Sequence, residues 1–70
     1  MISGDKMKAI REELNMSQRD LAAESIYSKS HIRLMENGDH PVTKEMVNTL
    51  NNILKKKLKE LNKKLADMAS

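Results

Sequence analysis

The chain has 70 residues, no cysteine and one aromatic residue, so it can form a single domain with a small core and no disulfide. Helix-forming residues dominate and no apolar run reaches the roughly 20 residues of a membrane span, so we expect an all-α protein of the cytoplasm. The net charge of +3 comes from residues 55–70, which hold six lysines and two acids, and is weak evidence for a polyanionic partner.

The first predicted helix lies near the start of the chain, between a capping residue and an asparagine that can end a helix. Ser3 or Asp5 can cap its beginning, since a short oxygen-bearing side chain accepts a hydrogen bond from a free backbone N–H. Asn15 tolerates the left-handed conformation that often ends a helix. The spacing of apolar residues places on its buried face Met7, Ile10 and Leu14.

The second predicted helix is short and ends in a tight corner. Ser17 is its expected cap, with Asp20 three residues later in the place of a capping-box acid. The helix covers about residues 18–24 and buries Leu21 and Ala22. Only residues 25–27 then separate it from the next cap, so the two helices are expected to meet at a steep angle.

The third predicted helix has one apolar face and one polar face. Ser28 opens it, and Asn37-Gly38 is a typical signal for its end. Ile32 and Met35 are expected to point into the core. A short anchored helix with a polar outer face is suited to the major groove of DNA, and the side chains expected to point outward are Lys29, Ser30 and Arg33.

The fourth predicted helix begins at Thr43, after a loop that contains Pro41, and no glycine or proline interrupts it afterwards. The apolar residues of its first part are Met46, Val47, Leu50, Ile53 and Leu54. Five apolar residues continue along one side at spacings of 4, 3, 4 and 3, the pattern of a heptad seam: Leu54, Leu58, Leu61, Leu65 and Met68. This seam predicts dimerisation, and the alternative is that it folds back over the core.

The segment "MSQRDLAAESIYSKSHIRLMENG", residues 16–38, resembles the DNA-binding domain of phage Cro and repressor proteins, the Xre-type helix-turn-helix regulators. The resemblance spans about residues 6–54. It implies a compact four- to five-helix bundle of the lambda-repressor-like type, here with an extended C-terminal helix. It also implies a DNA-binding domain over 1–54, and the heptad seam makes residues 55–70 the expected dimerisation segment.

The resemblance implies roles for individual side chains. Arg11 and Glu36 would form a buried structural ion pair between the first and third helices. Lys29 and Ser30 would reach base edges, and Arg33 a base or a phosphate. The remaining residues that would contact the DNA backbone are Gln18, Ser28, Asn37 and Lys44.

Three residues depart from the family pattern. Ile26 occupies a turn position usually held by glycine or asparagine, so either it has a strained left-handed backbone or the turn has another geometry. We expect a partly buried Ile26 in an altered turn. Leu34 occupies a position where related proteins often have a polar side chain that contacts a base. It is expected either to contact a thymine methyl group or only to pack within the protein. Asp39 adds negative charge where phosphate contacts are usual.

The expected function is that of a dimeric, sequence-specific DNA-binding regulator of phage or mobile-element type. It would act most simply as a repressor that binds an inverted repeat in double-stranded DNA through the helix beginning near Ser28. The alternative is a protein-interaction module, for example an adaptor or antitoxin-like partner protein. His31 and His40 match no metal-ligand spacing, and no base accompanies the serines, so we expect no enzyme, metal, cofactor or small-molecule ligand. Acidic residues lie four positions from several lysines of residues 55–70. This i, i+4 pattern favours a solvated helix face over a nucleic-acid-binding patch.

Overall fold

The computed structural model describes residues 2–69 as four helices joined by short connections. They are α1 (Gly4–Glu13), α2 (Gln18–Ala23), α3 (Lys29–Asn37) and α4 (Lys44–Ala69). No strand occurs in this part of the chain. The all-α prediction and the long C-terminal helix are therefore confirmed, with four helices as the observed number.

Hydroxyl side chains cap all four helices, each accepting a hydrogen bond from the backbone N–H three residues later. The caps are Ser3, Ser17, Ser28 and Thr43, at donor–acceptor distances of 3.0 to 3.2 Å. At α2 the Asp20 carboxylate also accepts from the Ser17 N–H at 2.9 Å, which completes the predicted capping box. The helix starts are thus set by residues within one turn of each end.

Left-handed residues end two of the helices. Asn15 follows α1 with φ 55°, and Gly38 follows α3 with φ 85°. After Gly38, the N–H groups of Asp39 and His40 donate to the Leu34 carbonyl oxygen at 2.9 and 3.2 Å. Both ends lie where the sequence predicted them.

The corner between α2 and α3 has the altered turn that was expected, but Ile26 is not buried there. Among the non-glycine residues that the structure describes, only Asn15 has a positive φ, so Ile26 is not left-handed. Ile26 is 80% exposed, so the expected partial burial is wrong. The Ser25 side chain explains the altered turn, because its Oγ accepts from the Tyr27 N–H at 3.1 Å and lies 3.3 Å from the Ala22 carbonyl oxygen.

The core lies where the four helices converge. Its buried apolar side chains are Met7, Leu14, Leu21, Ile32, Met35, Val42, Met46, Leu50 and Ile53. Tyr27 packs against this cluster, and its hydroxyl forms a hydrogen bond with the Thr43 hydroxyl. This contact links the corner before α3 to the start of α4.

The first turn of α1 approaches the end of α3 closely at Gly4. A Cβ atom at this position would lie 2.2 Å from the Met35 carbonyl oxygen and 2.7 Å from that of Glu36. Both contacts are with backbone atoms, which a side-chain rotation cannot relieve. Gly4 therefore permits the packing of α1 on α3.

The second half of α4 extends away from the core. Every described residue after Ile53 is exposed, including all five residues of the heptad seam. The alternative in which these leucines fold back over the core is therefore wrong. None of the helices over residues 2–69 has the length and apolar character needed to cross a bilayer.

Candidate functional site

The outer face of α3 carries the side chains that the sequence selected for contact with DNA. Lys29, Ser30 and Arg33 are exposed, whereas Ile32 and Met35 on the opposite face are fully buried. Ser28 caps this helix, and the first-turn residues Lys29 and Ser30 are exposed. The helix is thus fixed by its inner face and presents cationic and hydroxyl groups on its outer face.

An open cleft of about 310 Å³ lies between α2 and α3, lined by Gln18, Lys29, Ser30 and Arg33. It brings together four of the predicted contact residues from two helices. Its lining contains two cations, one amide and one hydroxyl, and no acidic side chain. Such a lining can donate hydrogen bonds to phosphate oxygens or to acceptors on base edges.

A buried ion pair joins α1 to α3 directly beneath this face. Arg11 Nε donates to Glu36 Oε2 at 2.7 Å, and Arg11 Nη2 donates to Glu36 Oε1 at 3.1 Å. The two residues are 8% and 5% exposed. The hydrogen bond to the Glu36 carboxylate raises the pKa of Arg11 above its ordinary value, and its Nη1 donates to the Met16 carbonyl oxygen at 2.8 Å.

Gln18 extends this network into the cleft. Its Nε2 donates to Glu36 Oε1 at 3.1 Å, so one carboxylate ties α1, α2 and α3 together. An amide still has a second N–H and a carbonyl oxygen to offer another partner. The sequence suggested only a phosphate contact for Gln18, because the bond to Glu36 crosses 18 residues and has no local signal.

The other predicted contact residues lie outside the cleft. The Ser28 Oγ accepts from the His31 N–H at 3.2 Å and is thereby oriented as a cap. Asn37 ends α3 and Lys44 begins α4, and both are exposed. Asp39 is exposed in the loop between them.

An aromatic cluster that the sequence did not predict packs beside α3. The His31 ring lies edge-on to Tyr27 with centroids 4.8 Å apart, and 5.3 Å from the His40 ring. These contacts hold the loop after α3 against the helix. Within residues 2–69, no group of three or more His, Cys, Asp or Glu side chains could hold a metal ion.

Comparison with known proteins gives one match. A helix-turn-helix family model matches residues 7–61, which include most of α1, all of α2 and α3, and the first part of α4. The match covers 55 of the 70 residues. No curated protein and no solved structure gives a significant match.

Proposed function

Because the chain belongs to the Cro/C1-type helix-turn-helix family, we propose that it is a sequence-specific DNA-binding transcriptional regulator that inserts α3 into the major groove. The observation that carries this proposal is the cleft between α2 and α3. It combines two cations and two neutral polar groups, one from α2 and three from the outer face of α3, whose inner face is buried.

The first turn of α3 supplies the contacts to bases in this proposal. Lys29 is suited to the O6 and N7 acceptors of guanine, whereas the Ser30 hydroxyl discriminates little between bases. Arg33, one turn later, contacts a base or a phosphate. Exposure of all three side chains supports these roles.

Contacts to the DNA backbone position the helix. Gln18 lies at the start of α2, where free backbone N–H groups and the helix dipole favour a phosphate. The other residues proposed to contact the backbone are Ser28, Asn37 and Lys44.

We infer further that the regulator is a homodimer. Residues 1–54 would form the DNA-binding domain and residues 55–70 the dimerisation segment. Exposure of the seam residues Leu54, Leu58, Leu61, Leu65 and Met68 supports this division, since an apolar stripe is stabilised when a partner covers it.

Two copies of α3 would then occupy successive major grooves about 34 Å apart on an inverted repeat. Occupation of a promoter in this way is the simplest route to repression. A regulator of this type, from a phage or a mobile element, acts on DNA in the cytoplasm and needs no enzymatic step.

The decisive experiment selects bound sites from a pool of random duplexes and then measures affinity for the selected site against salt concentration. We expect an inverted repeat with half-sites one helical turn apart, and a steep fall of log K with log salt. The same salt series on a random duplex gives the non-specific reference.

A second candidate, a protein-interaction module, draws support from the near-neutral charge of residues 1–54, which hold seven basic and eight acidic residues. If no site is enriched and no duplex binds with salt dependence, the DNA-binding proposal fails and this candidate replaces it.

A further inference from the structure

The heptad spacing of the apolar seam extends N-terminally from Leu54 into the part of α4 that packs in the domain. Asn51 lies seven residues before Leu58 on the same unbroken helix and is exposed. Four residues before Asn51 stands Val47, which is half-buried against the core. The spacing of 4 and 3 is thus kept over three heptads, with one polar residue in the series: Val47, Asn51, Leu54, Leu58, Leu61, Leu65 and Met68.

Asn51 is accessible to a second copy without disturbance of the core. The residues that α4 buries in its own domain are Met46, Leu50 and Ile53. At about 100° per residue, Asn51 lies roughly 140° or more around the helix axis from Met46 and Ile53 and about 100° from Leu50. A partner helix along the seam can therefore pass over Asn51 while the domain stays on the other side of α4.

We propose that Asn51 sets the orientation and register of a parallel two-stranded coiled coil between two copies of α4. This inference rests on the proposed homodimer and specifies its geometry. In a coiled coil, Val47, Leu54, Leu61 and Met68 occupy d positions, and Asn51 occupies an a position together with Leu58 and Leu65. A single asparagine at an a position is a known means of selecting register and oligomer state, at a cost in stability.

The chemistry of the amide favours the parallel arrangement. In a parallel pair, Asn51 faces Asn51 of the second copy, and each amide can both donate and accept a hydrogen bond. In an antiparallel pair centred on Leu58 and Leu61, Asn51 faces Met68 instead. An amide buried there has no strong partner, which is unfavourable.

The flanking charges favour the same arrangement. In the parallel pair, Lys57 lies beside Asn62 of the second copy, and Lys64 beside Ala69, so no like charges meet. In the antiparallel pair, Lys57 approaches Lys64 twice. The flanking charges and the Asn51 hydrogen bond therefore both favour the parallel arrangement.

Cysteine crosslinking of the full chain tests the orientation, since the natural sequence has no cysteine. Asn51→Cys and Met68→Cys, studied separately under mild oxidation, are each expected to give a disulfide-linked dimer, because residues facing their own copy lie within disulfide distance. Asn52→Cys, on the exposed neighbour that lies off the seam, is the matched control and stays uncrosslinked.

Failure of Asn51→Cys to crosslink more than Asn52→Cys, in a protein that sediments as a dimer, overturns the inference and leaves the proposed homodimer intact. A disulfide that forms only between Asn51→Cys and Met68→Cys chains in a mixture shows antiparallel pairing and also overturns it. A wild-type protein that is monomeric throughout the concentration series removes both the homodimer and this inference.

Sedimentation equilibrium of Asn51→Val tests the role of the amide itself. We expect the dissociation midpoint to move to lower protein concentration and species larger than a dimer to appear, because an apolar a position no longer selects one state. Asn52→Val should sediment as the wild type does. Identical behaviour of the two valine variants would show that Asn51 selects nothing.

Discussion

The proposed DNA-contact surface on α3 depends on a few residues that fix the position of this helix. The Glu36 carboxylate accepts hydrogen bonds from Arg11 and Gln18, so its position is set from α1 and α2 together. No buried side-chain nitrogen or oxygen among the described residues lacks a hydrogen-bond partner. A buried polar group without a partner would destabilise the folded state, so this network fixes the position of α3 relative to α1 and α2.

Arg11→Met is expected to lower the free energy of unfolding by about 3–5 kcal/mol, because it leaves the buried Glu36 carboxylate without its cation. Urea denaturation followed by circular dichroism measures the change. Glu13→Gln, on an exposed residue of the same helix, is the control and should alter stability by less than about 0.5 kcal/mol. Similar losses in both variants would show that the pair has no special role.

Lys29→Ala and Arg33→Ala are each expected to weaken binding to the selected site by about 1–3 kcal/mol if they reach base edges. Their thermal stability should stay at the wild-type value, since both side chains are exposed. Affinity is measured at one fixed salt concentration. Lys59→Ala, an exposed lysine on the extended part of α4, controls for the loss of a positive charge. Unchanged affinity in both α3 variants would remove this helix from base recognition.

The helices themselves depend on local chemistry, and α2 does so most clearly. It has only six residues, too few to be stable alone, and carries a complete capping box. The hydrogen bond from the Ser17 backbone N–H, followed by that with the Ser17 side chain, lowers the pKa of Asp20 from its ordinary value of 3.8. The ionised carboxylate therefore stabilises the folded state above pH 3.8, and this contribution is lost as the pH falls through the lowered pKa.

Asp20→Asn is expected to be less stable than the wild type at pH 7, because a neutral amide accepts the capping hydrogen bond more weakly. The difference in melting temperature should shrink as the pH falls below 3.8 and through the lowered pKa, below which the folded wild-type carboxylate is neutral as well. Circular dichroism melts between pH 2 and pH 7 measure it. A difference that stays constant over this range would show that ionisation of Asp20 does not contribute.

The packing of α1 on α3 makes Gly4→Ala informative. Alanine has the higher helix propensity and would stabilise an exposed helix by about 1 kcal/mol. Here the new Cβ would meet two backbone carbonyl oxygens, so we expect a net loss of about 1–3 kcal/mol in the free energy of unfolding. Stabilisation by Gly4→Ala would mean that the two helices are not in close contact.

Gly38→Ala is a useful comparison at the other glycine. Its Cβ would meet nothing within 4 Å, but the backbone has φ 85°. A loss of about 1–2 kcal/mol is expected there from left-handed strain alone.

At the scale of the whole molecule, α4 sets the shape. The chain measures 49 × 21 × 17 Å, and the part of α4 after Ile53 extends about 24 Å beyond the last buried residue at 1.5 Å per residue. An isolated helix of this length is marginal in water. Its leucines are therefore expected to be stabilised by a partner.

Leu58→Asp combined with Leu65→Asp should give a folded monomer with markedly weaker operator affinity, because two-site binding is lost. Analytical ultracentrifugation decides the oligomeric state. Asn52→Asp with Ala66→Asp adds the same charge at exposed positions off the seam and should remain dimeric. A double leucine variant that stays dimeric would exclude the seam as the interface, whereas one that unfolds would assign the tail to the domain's own stability.

The sequence by itself determined the helices and most of the candidate surface. Ser3, Ser17 and Ser28 each bond a backbone N–H three residues later, so the signals for the helix starts are local and visible in the chain. Helical spacing likewise separated the buried Ile32 and Met35 from the exposed Lys29 and Arg33. Such features depend on neighbours within one or two turns.

Only the tertiary structure decided the contacts between residues far apart in the chain. Three such contacts follow from how the helices pack: the bond from Gln18 to Glu36, the approach of Gly4 to Met35 and the tilted contact of the His31 and His40 rings. The altered turn at Ile26 was expected, but its exposure was not, because the Ser25 side chain closes the turn and leaves Ile26 outside the core. Local propensity ranks backbone conformations one residue at a time, whereas these geometries result from the joint packing of four helices around one core.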